Sequence, residues 1–384
     1  MAYFRVPAHI FTGKAALYEA KECIAACGNK ALLVTGKHVS KTKVMKDVME
    51  VLEDTQLSYV IYDGITGEPT DLMIDEGLSM YQENGCDFVI GIGGGSPIDA
   101  AKAIAAMSVK EGVISDYIGK MMEGEVPKIV AIPTTAGTGS EATKMTIVTD
   151  TKRDIKMLLK GESLVPEIAV VDYSYSMTSP ISVTISSGLD ALTHAIESFT
   201  SKKAIPMTDT LAISAVKRIM KYLLLACNDG TNDKAREEMA LAALEAGMCI
   251  NNSSVTLIHG MSRPIGALFH VPHGLSNAML LKEGLAFALD GAYNRFAILG
   301  REIGCASHED SDELAAKKLL EAIIKLCEDC KVPTLLEYGI AKEEFLARTE
   351  KMARDAILSG SPGNTRKSVS KEDCIQIYER LFVC

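Results

Sequence analysis

"CDFVIGIGGGSPIDAAKAIA", residues 86–105, decides the fold. Its first part is a short apolar, β-branched run that ends in three consecutive glycines, and its second part carries Ile and Ala at helical spacing. A strand that passes through a glycine turn straight into a helix is the βα junction of a wound parallel sheet. Gly93, Gly94 and Gly95 let the backbone turn sharply and approach a ligand closely. Ser96 and the first-turn amides then stand at the positive end of the helix, as a pyrophosphate requires. Ser96 occupies the place of the last glycine of the usual G-x-G-x-x-G, but three glycines in a row exceed what a structural turn needs.

Working outward, "KALLVTG" (30–36), "LSYVIYDG" (57–64), "PKIVAIPTT" (127–135) and "EIAVVD" (167–172) read as further strands buried on both faces. Helical stretches such as 70–85 separate them, and 146–161 reads as a polar-tipped hairpin. "IPTTAGTGSEAT" (132–143) delivers Thr134, Thr135, Thr138 and Ser140 at a strand end, where hydroxyls and amides suit phosphate, ribose and carboxamide. Two such loops point to a dinucleotide. After the first wound strand, Gly36 is followed by Lys37, His38 and Lys41 with no acid, so we expect NADP to be tolerated beside NAD.

From about residue 180 the pattern changes to helix after helix, with Ser179 as cap and Pro180 at the first helical position. The expected organisation is an α/β dinucleotide-binding domain over 1–180 and an all-α, metal-binding domain over 181–384. A chain of 384 residues with net charge −10 and no clustered Lys/Arg stripe argues against nucleic acid as partner. There is no signal-peptide pattern and no run long enough to span a membrane, and the ten cysteines are scattered, so the cytoplasm is the expected location.

In "SSGLDALTHAIESF" (186–199), Asp190 and His194 lie four residues apart on one helix face. "LIHGMSRPIGALFHVPHGLSNA" (257–278) adds three of the chain's seven histidines. His259 and His273 would complete a set of one carboxylate and three imidazoles, which suits iron(II) or zinc over magnesium or calcium.

These motifs, with "GGGSPIDAAKAIA", "PTTAGTGSE", "GLDALTHAIE", "IHGMSRPIGA" and "VPHGLSNAMLL", resemble the iron-containing (group III) alcohol dehydrogenases over essentially the full length. The resemblance implies a Rossmann-like N-terminal domain and a helical C-terminal domain with the active site in the cleft between them. It places the metal ligands on Asp190, His194, His259 and His273, with Fe2+ first and Zn2+ second. Cofactor contacts fall on Gly94, Gly95, Ser96, Thr134, Thr135, Thr138 and Lys156, the last matching a lysine that reaches the ribose. His270 is not a ligand by this match. The implied activity is metal-dependent, NAD(P)-linked oxidation of small alcohols and diols, or reduction of short aldehydes, anionic ones included. The implied assembly is a homo-oligomer, dimer or higher.

The chain departs from its relatives at Arg263, where many carry a histidine able to relay the alcohol proton. Arginine stays protonated and cannot act as a base, so the relay falls to His270 or water. Arg263 then has two readings, an anchor for an anionic tail or a cap on helix carbonyls. The runner-up functions are a zinc polyol dehydrogenase of the glycerol type and a non-catalytic dinucleotide or metal sensor.

Overall fold

The glycine run lies at the reversal point of a six-stranded parallel sheet. The computed structural model describes residues 3–382. Its strands are β1 (His9–Thr12), β2 (Lys30–Val34), β3 (Ser58–Tyr62), β4 (Phe88–Gly93), β5 (Ile129–Pro133), a separate antiparallel hairpin of β6 (Met145–Asp150) and β7 (Ile155–Lys160), and β8 (Ile168–Val171). The sheet order is β1-β8-β5-β4-β2-β3, parallel throughout. From β2 the chain steps outward to β3, then returns to β4 on the other side of β2 and continues to β5. The carboxyl ends of β2 and β4 therefore flank a topological switch point, where open α/β sheets bind ligands.

The period-two alternation of the strands builds two cores. Leu32, Val34, Val89 and Ile129 pack on one face, while Leu33, Phe88, Ile90, Ile92, Val130 and Ile132 pack on the other. Burial on both faces is what makes these strands read as unbroken apolar runs. β1 escaped sequence reading because it is an edge strand, mostly exposed, with β8 as its sheet neighbour.

One unit of the chain is Arg5–Ser179, and the other begins at Pro180. The first long helix of the second unit is Ile181–Thr200, one residue later than the Ser179–Pro180 reading. Pro180 carbonyl accepts from Thr184 N at 2.9 Å, making Pro180 the cap, whereas Ser179 Oγ donates to Thr134 O at 3.3 Å. Among the described residues no strand follows β8, and no helix is long and apolar enough to cross a membrane.

A buried ionic group ties the dinucleotide unit together. Lys102, fully buried on the helix Gly95–Met107, donates to Ser140 Oγ, Thr143 Oγ1 and Met145 O, each at 3.0 Å. Asp99, 3.9 Å from the Lys102 ammonium, accepts from Ser140 Oγ and, at 2.9 Å, from Ile147 N. The helix behind the glycine turn is thus bonded to the second polar loop and to β6. Burial pushes the Lys102 ammonium down to about 8, against the pull of Asp99 and Glu141. Removing one partner of such a pair leaves an uncompensated buried charge. Lys102→Met should therefore cost about 3–5 kcal/mol, seen as a lower urea midpoint, and a midpoint within error of the parent contradicts this.

Candidate metal centre and cofactor loops

Three helices bring the candidate ligands together. Asp190 and His194 sit on Ile181–Thr200, His259 on Leu257–Phe269, and His273 opens His273–Ala288. The Asp190 Oδ1 atom lies 3.5 Å from His259 Nε2, 3.8 Å from His273 Nε2 and 3.9 Å from His194 Nε2. Donor atoms about 2.1 Å from one tetrahedral ion stand roughly 3.4 Å apart, so these spacings are nearly those of a coordination shell. Asp190, His259 and His273 form the tightest group, with donor atoms all within 4.8 Å of one another. The His194 ring stacks on His259 with centroids 4.4 Å apart. One carboxylate and three imidazoles in a buried pocket fit a borderline divalent ion.

The close approach depends on Gly274. A Cβ there would stand 2.3 Å from Ser186 O and 3.2 Å from Asp190 Cβ, so any side chain would drive the His273 helix away from the Asp190 helix.

Two further residues complete the centre, and neither was singled out in the sequence. Glu197, one turn beyond His194, is buried and accepts from Thr256 N (3.0 Å), Thr256 Oγ1 (2.7 Å) and Ile258 N (2.6 Å). It also lies 2.6 Å from His259 Nδ1. A proton on Nδ1 shared with this carboxylate leaves Nε2 free as a donor atom and fixes the ring plane. Asn277, one turn beyond His273, donates from Nδ2 to Asp190 Oδ1 at 2.7 Å, with His259 Nε2 and His273 Nε2 at 3.1 and 3.4 Å. The signal for both is helical spacing from a ligand, i+3 and i+4, which marks a neighbour but not its role.

The ionisations of Asp190 and His273 agree with this arrangement, while against burial the Glu197 and Asp190 carboxylates raise the His259 imidazole. Burial alone would raise the Asp190 carboxyl, yet His194, His273 and His259 hold it well below the usual carboxylate range. Burial pushes the His273 imidazole down to about 3, against the pull of Asp190, so it stays neutral and able to donate a lone pair.

Arg263 lies one turn beyond His259 and caps no helix carbonyl. Its one hydrogen bond runs from Nη1 to Ser361 Oγ at 3.1 Å, and its buried Nε has no acceptor. His270 stands apart from the ligand group. It is exposed and closes its helix in the left-handed region, at φ 54°.

In the other unit, the two polar loops touch. A Cβ on Gly95 would stand 2.9 Å from Thr138 Cγ2, and one on Gly94 would stand 3.5 Å from Thr135 Oγ1. Thr134 N donates to Gly93 O at 2.8 Å, and Gly93 takes φ 145°, a conformation that favours glycine. Gly94, Gly95, Ser96, Thr134, Thr135 and Thr138 are all half-buried. Lys156, on β7, is held by Glu68 at 2.7 Å. Gly36, two residues past β2, has no room for a side chain, since a Cβ would meet Ile65 O at 2.6 Å. Its loop has no acid of its own, but Asp63, just past β3, reaches Ser40 at 3.4 Å. Sequence reading missed this carboxylate because it arrives from a different strand.

A parallel sheet with paired polar loops at its switch point, and a carboxylate–imidazole cluster in a helical unit, define a metal- and dinucleotide-linked oxidoreductase. The chain belongs to the iron-containing alcohol dehydrogenase family. The profile "Iron-containing alcohol dehydrogenase" matches residues 7–173, and "Fe-containing alcohol dehydrogenase family, C-terminal" matches 184–382. The chain is 33% identical to the NAD-dependent methanol dehydrogenase of Bacillus methanolicus over 100% of both chains. It is 31% identical to the NADPH-dependent butanol dehydrogenase of Clostridium saccharobutylicum, over 100% of this chain and 98% of that one. The crystal structure of a 1,3-propanediol oxidoreductase superposes with a TM-score of 0.95 at 32% identity, covering 100% of both chains. The enzyme is thus an NAD(P)-linked oxidoreductase acting on CH–OH groups, and neither the glycerol-type nor the sensor reading is favoured.

Because Glu197 orients His259, Glu197→Gln should weaken divalent-metal affinity by about 10–100-fold. Competition dialysis with elemental analysis measures it, and parent-like affinity would show that the carboxylate only braces the Thr256 turn.

Proposed function

We propose that this enzyme interconverts small alcohols or diols with short aldehydes, using NAD or NADP and one divalent metal held by Asp190, His194, His259 and His273. Iron(II) is the first choice and zinc the second. The observation that carries this reading is the convergence of three imidazole Nε2 atoms on one buried carboxylate oxygen.

A divalent ion at this position supplies Lewis-acid polarisation of the substrate C–O bond and lowers the pKa of the alcohol. Asp190 contributes the negative charge that holds the ion, and the neutral state of His273 keeps a lone pair available near neutral pH. Glu197 and Asn277 fix the orientation of His259 and Asp190. The amides after Gly94, Gly95 and Ser96 would hold the pyrophosphate, and Thr134, Thr135 and Thr138 would position the rest of the dinucleotide, whose nicotinamide would supply or accept the hydride. Lys156 reaches the ribose from its pairing with Glu68. Gly36 lets its loop pack against Ile65 O near the adenosine ribose, and Asp63 sets the balance between NAD and NADP there. Arg263 does not take up the alcohol proton, and with His270 exposed at its helix end the proton leaves by way of water.

We further place the enzyme in the cytoplasm as a homo-oligomer of two or more copies, without nucleic-acid or membrane partners. The net charge of −10 and nine free cysteines among the described residues support the first and the last of these points.

Removing the metal tests the reading. Chelated protein should lose aldehyde reduction with both NADH and NADPH, and added Fe2+ should restore it. Turnover that survives complete chelation, or no turnover across an aldehyde panel with metal present, would sink the proposal. Strict NADH use would refute the tolerance of NADP alone.

A further inference from the structure

Among the described residues, Arg263 is a half-buried cation without a counter-charge. It follows His259 by four residues on the same helix, so it stands on the ligand stripe about 6 Å further along the axis. Among the described residues no carboxylate lies within ion-pair distance of it. Its one hydrogen bond goes to a neutral hydroxyl, Ser361 Oγ at 3.1 Å. Its Nε is buried with no acceptor at all. Glu197, the acid whose field acts on it, has its oxygens already taken by His259, Thr256 and Ile258. Its field also acts on His273, one of the candidate ligands.

A guanidinium offers five N–H donors in a planar fork, and four remain unused here. Sealing an N–H away from water without an acceptor is costly, and an apolar side chain would avoid that cost. Arginine cannot serve as a base, so proton transfer does not explain its presence. A bidentate oxyanion would satisfy the free Nε together with an Nη and neutralise the charge.

We infer that Arg263 is a substrate-selecting residue that binds an anionic tail, and that the preferred substrates are short aldehydes ending in a carboxylate or sulfonate. This rests on the dehydrogenase reading given above. One helical turn separates His259 from Arg263 along the helix. That span fits an anion one to three carbons from the carbonyl.

The test compares metal-loaded enzyme and its Arg263→Met and Arg263→Lys variants on 4-oxobutanoate and butanal, with NADH and NADPH. The parent should show the higher kcat/KM for 4-oxobutanoate. In Arg263→Met the ratio of the two kcat/KM values should fall by roughly 10–100-fold. Arg263→Lys, which keeps the charge but loses the fork, should fall in between and controls for folding. A parent that favours butanal, or a ratio unmoved in both variants, overturns the inference and leaves Arg263 a brace for Ser361. If neither aldehyde is reduced, the dehydrogenase reading fails on its own. The anion site is then judged by calorimetry with millimolar ethanesulfonate: binding to the parent that is lost in Arg263→Met upholds it, and no binding to the parent refutes it.

Discussion

The buried carboxylate of Asp190 is the constraint on which the helical unit depends. An ionised carboxylate in an apolar interior is tolerated only when its field is answered. Here three imidazoles and the Asn277 amide face one of its oxygens. Two further helices must therefore approach the Asp190 helix closely. Gly274 permits that approach at the point where the backbones would otherwise collide. Glu197 adds a second buried carboxylate on the same helix, and it is answered by the turn that opens the His259 helix. One helix thus carries a carboxylate that gathers the donor atoms and another that sets the plane of one of them.

The dinucleotide unit solves a comparable problem with the opposite sign. Its central charge is the Lys102 ammonium, sealed beneath the glycine turn and bonded to three oxygens. Two of these belong to the second polar loop, so the same contact that compensates the charge fixes the loop against the helix. Packing of Gly95 on Thr138 brings the loops together at the surface. The residues proposed to meet the cofactor are half-buried backbone and hydroxyls, while the charges that hold their loops in place lie underneath.

The parts legible in the sequence are those with a strong local signature. Strands buried on both faces, a triple glycine and a hairpin with a polar tip carry their conformation in composition and period. β1 does not, because an exposed edge strand has no apolar pattern to display. In the helical unit, Asp190 and His194 were visible as a pair because one helix presents both. Glu197 and Asn277 were not, since their partners come from other helices and carboxamides and carboxylates are common at helical spacing for many reasons. Asp63 was missed for the same cause, as it meets Ser40 from the end of the neighbouring strand.

The stripe His259–Arg263 shows how one helix divides two tasks. Its first turn gives an imidazole to the ligand group and, through Thr256 and Ile258, anchors the carboxylate that orients it. Its second turn presents a charge that takes no part in ligation. Pro264 follows that charge and lacks an N–H, so the Gly260 carbonyl loses its usual helical partner while the helix continues to Phe269. Gly260 lies against Pro362, with no space for a Cβ, and Ser361 holds Arg263 from that same segment. The guanidinium is therefore positioned by neutral contacts alone. On the proposed reading, a charge placed this way keeps its field for an entering substrate, which separates the residues that would perform the chemistry from the residue that would select what undergoes it.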